Sequence, residues 1–297
     1  VTPPFETGGT GAYDALALDA ETQAFVSSLA TDGFALIDLG EEARGLCGQA
    51  AAEVEPWFER APTLGRLQDA WTVSPAVRRL ASWPKLKRML GLAYGRRPFP
   101  FQTLNFQRGS EQALHADTVH FHSLPERFMC GVWIALEDIH PEAGPLVYYP
   151  GSHRLPVMTM QDAGVKGRVP THDDYEAHFV PRFGERIAAS GLPAAHAVIP
   201  KGWAFVWAAN LAHGGAPIAR KDATRRSLVV HWFFEDCLYY TPMTSNVDAG
   251  ELALRVPADI ETGRWMWPKQ AGRPIYPGHR ALVGALHRSL TRQPYAG

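Results

Sequence analysis

The sequence predicts a mainly-β protein, a jelly roll or β-sandwich core backed by helices on its N-terminal side. Two observations carry this. Apolar residues recur at helical spacing mostly before residue 98. After it the chain breaks into short aromatic and β-branched runs between Gly and Pro turns. No internal repeat or low-complexity stretch interrupts that pattern. At 297 residues the chain is long enough to bury a sizeable core, and we read 1–297 as one domain. Residues 1–14 are expected as a loose N-terminus and 15–98 as a mostly helical support. Residues 99–236 are expected as the jelly-roll core with a helical insertion at 156–194, and 237–297 as a C-terminal extension.

Each element has a local reason. Residues 1–14 are rich in Pro, Gly and Thr, hence the expected looseness. From Asp19, the positions Ala20, Phe25 and Leu29 suggest one face of a helix, and Asp32-Gly33 supplies its stop. Phe34–Leu39 reads as a strand. Glu41–Glu55 reads as a second helix with Leu46, Ala50 and Val54 on one face, and Pro56 is expected to end or kink it. Pro75–Leu80 and Pro84–Leu92 each open on a proline, whose missing N–H does no harm in a first helical turn. Ser74 is placed to cap the first of them.

Strands are then expected at Phe99–Gln107, Ala113–Phe121, Phe128–Glu137 and Leu146–Tyr149, with turns at Arg108–Glu111 and Pro150–His153. The insertion has room for one or two helices within Asp173–Ala189. Strands at Ala197–Ile199 and Ala204–Ala208 flank the turn Pro200-Lys201-Gly202. A Gly-rich loop then holds His213, and Ser227–Phe234 is the last core strand. Ala281–Leu290 reads as a closing surface helix.

Composition narrows the function. The net charge is −1 and no basic run is present, so neither nucleic acid nor an anionic membrane is called for. Three cysteines, Cys47, Cys130 and Cys237, are too few and too scattered for a disulfide framework or a zinc signature. No apolar run is long enough to span a bilayer. The expected address is the cytoplasm and the expected partner a small molecule; oligomeric state stays open.

The chemistry centres on His115-Ala116-Asp117. On a strand, residues two apart share a face, so an imidazole and a carboxylate can grip one divalent ion. A third ligand must come from later in the chain, and His213, in Ala212-His213-Gly214-Gly215, is the candidate. Two histidines and one carboxylate leave half of an octahedral sphere open, which suits Fe(II) activating O2. By itself His-x-Asp also fits an ordinary hydrogen-bonded pair at a strand end. Arg225-Arg226-Ser227 opens the last strand, and a buried guanidinium there suits a carboxylate through two parallel hydrogen bonds. At least one of the two arginines reads as a solvated basic turn with Arg220 and Lys221. His120 and His122 read as substrate contacts at a pocket mouth, as supports behind the metal ligands, or as solvent-facing residues. His153 reads as structural, and His231, inside an apolar run, as a satisfied core residue. The abundant Trp and Phe read as core.

Taken in order, His115-Ala-Asp117, Gly131-Val-Trp133-Ile-Ala-Leu-Glu137, Gly144-Pro-Leu-Val-Tyr-Tyr-Pro-Gly-Ser-His153, His213-Gly-Gly and Arg225-Arg-Ser resemble the phytanoyl-CoA dioxygenase family over about residues 99–236. The resemblance implies a double-stranded β-helix, cupin-like core and Fe(II), 2-oxoglutarate and O2 as cofactor and co-substrates. It implies His115, Asp117 and His213 as iron ligands and Arg225 as the partner of the distal carboxylate of 2-oxoglutarate. Trp133 matches an aromatic position beside the co-substrate, with Gln102 a weaker candidate for the same pocket. The gap from His213 to Arg225 is slightly longer than the family's, so Arg226 stays an alternative. Gly215 stands where the family often has a hydroxyl residue, which passes that hydrogen bond to another group such as Thr103 or Thr118. Halogenating relatives lack the carboxylate, so Asp117 favours hydroxylation. Two other classes use the same residues: a zinc hydrolase, which needs a general base that no motif supplies, and a non-catalytic iron and 2-oxoglutarate binder. The insertion and the C-terminal extension are expected to frame the substrate pocket.

Overall fold

The structure, a computed structural model, describes residues 2–61 and 63–276 and the backbone of 295–296. The helix expected at Ala281–Leu290 lies outside the described residues. Eleven strands matter to the site: β1 (Phe34–Asp38), β2 (Leu67–Gln68), β3 (Pro98–Phe106), β4 (His122–Leu124), β5 (Met129–Ala135), β6 (Leu146–Tyr148), β7 (Ala195–Ala197), β8 (Trp203–Ala208), β9 (His213–Gly215), β10 (Ser227–Phe234) and β11 (Leu238–Tyr240). The large antiparallel sheet runs β1-β8-β5-β10-β3-β2, closed at its far edge by the short strand Tyr295–Ala296. A smaller sheet runs β7-β6-β9 and packs across its inner face.

Alternation along the central strands builds two cores at once. On β5, Cys130, Val132 and Ile134 face the helices, while Trp133 and Ala135 face the smaller sheet. On β8, Ala204, Val206 and Ala208 face the helices, and Phe205 and Trp207 face inward. β10 alternates likewise until a bulge between His231 and Trp232 resets its register. Trp232, Phe233 and Phe234 then all join the helix-side core. The bulge leaves His231 as the last inward residue, a common use of bulges beside functional sites.

The helical layer is α1 (Pro4–Thr7), α2 (Ala20–Asp32), α3 (Glu41–Arg60), α4 (Pro75–Ala81) and α5 (Pro84–Tyr94). Asp19 caps α2 by accepting from the Thr22 N–H at 2.7 Å, and Ser74 caps α4 by accepting from Val77 at 3.0 Å. One expectation fails here, and one is narrowed. The N-terminus is not loose: Phe5 is 1% exposed and edge-on to Tyr94 at 5.0 Å, and Glu6 pairs with Arg127 at 2.8 Å. Burial of one aromatic outweighs the local Pro and Gly content. α3 also continues through Pro56 to Arg60. The proline removes one hydrogen bond, but Val54 and Phe58 on either side of it are both buried in the same core and hold the last turn in place.

The segment expected as a strand at Ala113–Phe121 is not one. His115 makes a single bridge to His213, and Asp117–Val119 is a 3-10 turn whose Asp117 carbonyl accepts from the His120 and Phe121 N–H groups. His213 in turn lies in β9, not in a loop. The insertion forms a helix in three parts, α6 (His172–Asp174), a π turn (Tyr175–Phe179) and α7 (Val180–Ser190). It packs Tyr175, Phe179, Phe183 and Ile187 against Ala116 and Val119.

Candidate active site

One cavity of about 780 Å³ opens between the two sheets, and His115, Asp117, His213 and Arg225 all line it. Its size falls within the range of small-molecule sites, roughly 300–1,000 Å³.

Backbone pairing sets the two imidazoles side by side. The His115 N–H donates to the His213 carbonyl and the His213 N–H to the His115 carbonyl, both at 2.9 Å. Such a pair points both side chains to one face, and the ring centroids are 4.4 Å apart. Gly214 and Gly215 make the approach possible. A Cβ on Gly214 would lie 2.9 Å from the Gln112 carbonyl oxygen, and one on Gly215 2.7 Å from the Glu111 nitrogen. Each imidazole uses Nδ1 on the carbonyl two residues before it, Ala113 at 2.8 Å and Leu211 at 3.0 Å. With Nδ1 donating, Nε2 keeps its lone pair and faces inward. The turn at Asp117 brings Oδ1 to 3.9 Å from both Nε2 atoms. The three ligand atoms lie within 4.8 Å of one another, a spacing that a divalent ion with bonds of about 2.1 Å can bridge with small inward movement. Nitrogen, nitrogen and oxygen are a donor set suited to iron.

Asp117 has a further partner that its sequence context does not announce. Trp207 Nε1 donates to Oδ2 at 2.7 Å, which leaves Oδ1 as the oxygen facing the two imidazoles. His231 is paired, as a core histidine should be, through Nδ1 to Gln102 Oε1 at 3.0 Å. Yet it also lines the cavity, with Nε2 3.9 Å from Asp117 Oδ2, so its reading as core alone is corrected. The bulge that turns it inward has no sequence signature here.

Burial lowers the pKa of His115, His213 and His231 to about 4. For His115 the neighbouring His213 adds to this, and for both His115 and His231 the Asp117 charge opposes it. Between pH 6.5 and 4 the unfolded chain therefore binds protons that the fold refuses. Stability rises with pH across that window and is lost as pH falls. At pH 5 each group costs on the order of 1–2 kcal/mol. Metal-free protein is expected to show a clearly lower denaturation midpoint at pH 5 than at pH 7.5; equal midpoints would contradict the buried neutral imidazoles.

The two arginines separate cleanly. Arg226 points outward, ion-paired to Glu55 at 3.3 Å and Glu137 at 3.2 Å. Arg225 is 2% exposed, and burial pushes its pKa down to about 10. Its hydrogen bonds go only to the carbonyls of Gly144 (3.2 Å) and Arg108 (3.4 Å), and its Nε has no partner. Among the described residues no carboxylate meets it. Trp133 lies beside it, ring centroid 5.5 Å from the guanidinium carbon, and its Nε1 is also buried without a partner. Gln102 lines the cavity too, but beside His231. Thr103 and Thr118 do not line it: Thr103 lies on the β3 face opposite Gln102 and Leu104, and Thr118 donates to Asn210 at 3.2 Å. They are therefore not placed to replace the hydroxyl missing at Gly215. Ser110 and Gln112 line the cavity in that region instead. His120 lines the cavity, whereas His122 is buried in β4 and His153 packs beneath Gly33.

No described helix is long and apolar enough to cross a membrane. No curated protein matches the chain in sequence. Several solved structures share its fold. The alpha-ketoglutarate-dependent epimerase SnoN from nogalamycin biosynthesis, in complex with Fe3+, alpha ketoglutarate and nogalamycin RO, superposes with a TM-score of 0.58 at 20% identity, covering 88% of this chain and 97% of that one. The carbocyclase SnoK from the same biosynthesis gives 0.56 at 18%, covering 76% and 88%. EctD from S. alaskensis with bound Fe gives 0.54 at 18%, covering 73% and 77%. The family model for phytanoyl-CoA dioxygenase matches residues 43–227, more than half of the sequence, and on that match the chain belongs to the phytanoyl-CoA dioxygenase family.

Proposed function

We propose that the protein is an Fe(II)- and 2-oxoglutarate-dependent oxygenase that hydroxylates an unactivated C–H bond of a small organic molecule, with 2-oxoglutarate leaving as succinate and CO2. One observation carries the reading furthest. A buried, carboxylate-free arginine stands in the same cavity as two imidazoles with inward lone pairs and a carboxylate. A buried cation without an anion is costly, so the Arg225 end is built to receive one. 2-Oxoglutarate has a carboxylate for Arg225 and a 2-oxo acid end for the metal.

In this reading His115, Asp117 and His213 hold the iron, whose chemistry when bound is activation of O2 coupled to oxidation of 2-oxoglutarate. Arg225 fixes the far carboxylate, and the unpaired Nε1 of Trp133 is available to it as a second donor. Leu104, Phe106, Leu146 and Val229 line that end of the cavity and keep bulk water from the co-substrate. Trp207 holds the Asp117 carboxylate so that one oxygen faces inward. The three cysteines are free and buried, which fits a reducing compartment such as the cytoplasm.

Anaerobic addition of Fe(II) and 2-oxoglutarate is expected to give a weak visible charge-transfer band. Titrated by that band, Arg225→Ala should raise the 2-oxoglutarate Kd at least tenfold, while Arg226→Ala leaves it within about twofold, since a lost charge-assisted pair is worth roughly 1.5–3 kcal/mol. The reverse ranking moves the role to Arg226. Turnover with zinc and no O2 would point to a hydrolase instead.

A further inference from the structure

His231 lines the cavity, and the metal site leaves it unused. It is 5% exposed and lies in β10, six residues after Arg225. That is roughly 20 Å of extended chain, so the two side chains serve different ends of the cavity. Gln102, its partner across the β3–β10 pair, accepts on Oε1 from His231 Nδ1 at 3.0 Å. A carbonyl oxygen can only accept, so in the neutral ring Nδ1 carries the proton and Nε2 the lone pair.

Among the described residues Nε2 makes no hydrogen bond. It stands 3.9 Å from Asp117 Oδ2. Oδ2 accepts from Trp207 Nε1 at 2.7 Å, and its second lone pair can take another donor. Two acceptors at that spacing are both within reach of one donor atom about 2.8–3.0 Å from each. Beside them the wall is apolar. The Phe121 ring, which also lines the cavity, has its centroid 4.9 Å from that of His231. This corner therefore combines an oriented acceptor, a carboxylate oxygen of the metal site and a flat apolar face.

We infer that His231 is a substrate-binding residue, and that the substrate is an alcohol or an amine whose O–H or N–H donates to His231 Nε2 beside Asp117 Oδ2. The carbon skeleton next to that group packs on Phe121, so the polar group marks which carbon comes closest to the metal ligands. A substrate without the donor would leave the buried lone pair stranded. The inference deepens the oxygenase reading and rests on it for the reaction; the binding itself rests on the cavity.

The test uses the full chain loaded with Zn(II) and saturated with 2-oxoglutarate. Cyclohexanol, cyclohexylamine and cyclohexanone share one ring, and the ketone has no hydrogen to donate. Their Kd values are titrated by saturation-transfer nuclear magnetic resonance. The alcohol or the amine is expected to bind at least about tenfold more tightly than the ketone. Tighter alcohol assigns an O–H donor, and tighter amine an N–H donor. His231→Phe and His231→Leu both lack an acceptor, and each should bring the preferred probe to within about twofold of the ketone. The 2-oxoglutarate Kd should stay unchanged in both, which also reports an intact fold. Equal binding of the three probes, no binding of alcohol or amine, or a preference that survives in either variant overturns the inference. So does a loss of Zn(II) affinity of about tenfold or more in both variants, which would make His231 a support of Asp117 instead. If 2-oxoglutarate itself does not bind, the oxygenase reading falls, and the same probe titrations on metal-free protein still decide this one.

Discussion

Asp117→Ala is expected to abolish 2-oxoglutarate-dependent turnover and to weaken divalent-ion binding by at least about 100-fold. Partners that merely orient a ligand are worth 10–100-fold in affinity, and this change removes a ligand outright. A hundredfold loss corresponds to about 2.7 kcal/mol. The geometry argues for a loss larger than the missing bond alone. Asp117 Oδ1 faces both imidazoles at 3.9 Å and is the group that makes the site anionic. Without it two neutral histidines remain, their centroids 4.4 Å apart, with no charge to offset that of the ion. Trp207 Nε1 would also lose its acceptor in a buried place. Asp117→Asn is the discriminating companion: it keeps the volume but loses the charge, so it should fall with alanine. Manganese affinity measured by electron paramagnetic resonance and succinate formation give independent readouts. Wild-type 2-oxoglutarate decarboxylation by Asp117→Ala would remove Asp117 from the ligand set.

What the sequence made legible follows from how local each signal is. Caps and periodicity are local, and α2, α4 and α5 form within about two residues of where Asp19, Ser74 and Pro84 place them. Alternation along β5, β8 and β10 is local too, so the layering of the core could be read. Three residues of the candidate site, His115, Asp117 and His213, stood out because a facial set needs few types at fixed offsets. The strand argument used for the first two was nonetheless wrong in detail: a 3-10 turn, not a pleat, presents Asp117. Contacts made across the barrel had no local trace. Trp207 is simply a core tryptophan in sequence, and Arg66 and Arg255 are surface cations until the topology brings them to one cavity. That Arg226 is already ion-paired, while Arg225 is buried without a carboxylate among the described residues, could be read only from the positions of Glu55 and Glu137.

The second large effect is expected at a residue with no side chain, Gly131. This residue sits opposite Trp207 across the β5–β8 pair. A Cβ built on Gly131 would lie 2.1 Å from indole atoms Cε2 and Cζ2, inside any tolerable contact. The indole has nowhere to retreat, being 1% exposed and 4.8 Å from the His213 ring. Gly131→Ala should therefore cost about 1–3 kcal/mol by overpacking. It should also weaken metal binding, because any shift of the indole strains its 2.7 Å hydrogen bond to Asp117 Oδ2. Trp207→Phe separates the two effects. Phenylalanine lacks the fused ring that meets the added methyl, so Gly131→Ala on that background should cost much less stability than it does alone. Metal affinity should instead fall about 10–100-fold in both Trp207→Phe and the double variant, since the carboxylate has lost its donor. Strong non-additivity in stability combined with a shared loss of affinity is the signature of contact through one side chain. Denaturant titration and manganese binding on the four proteins measure both quantities. If Gly131→Ala matches wild type in both, Trp207 does not set the orientation of Asp117.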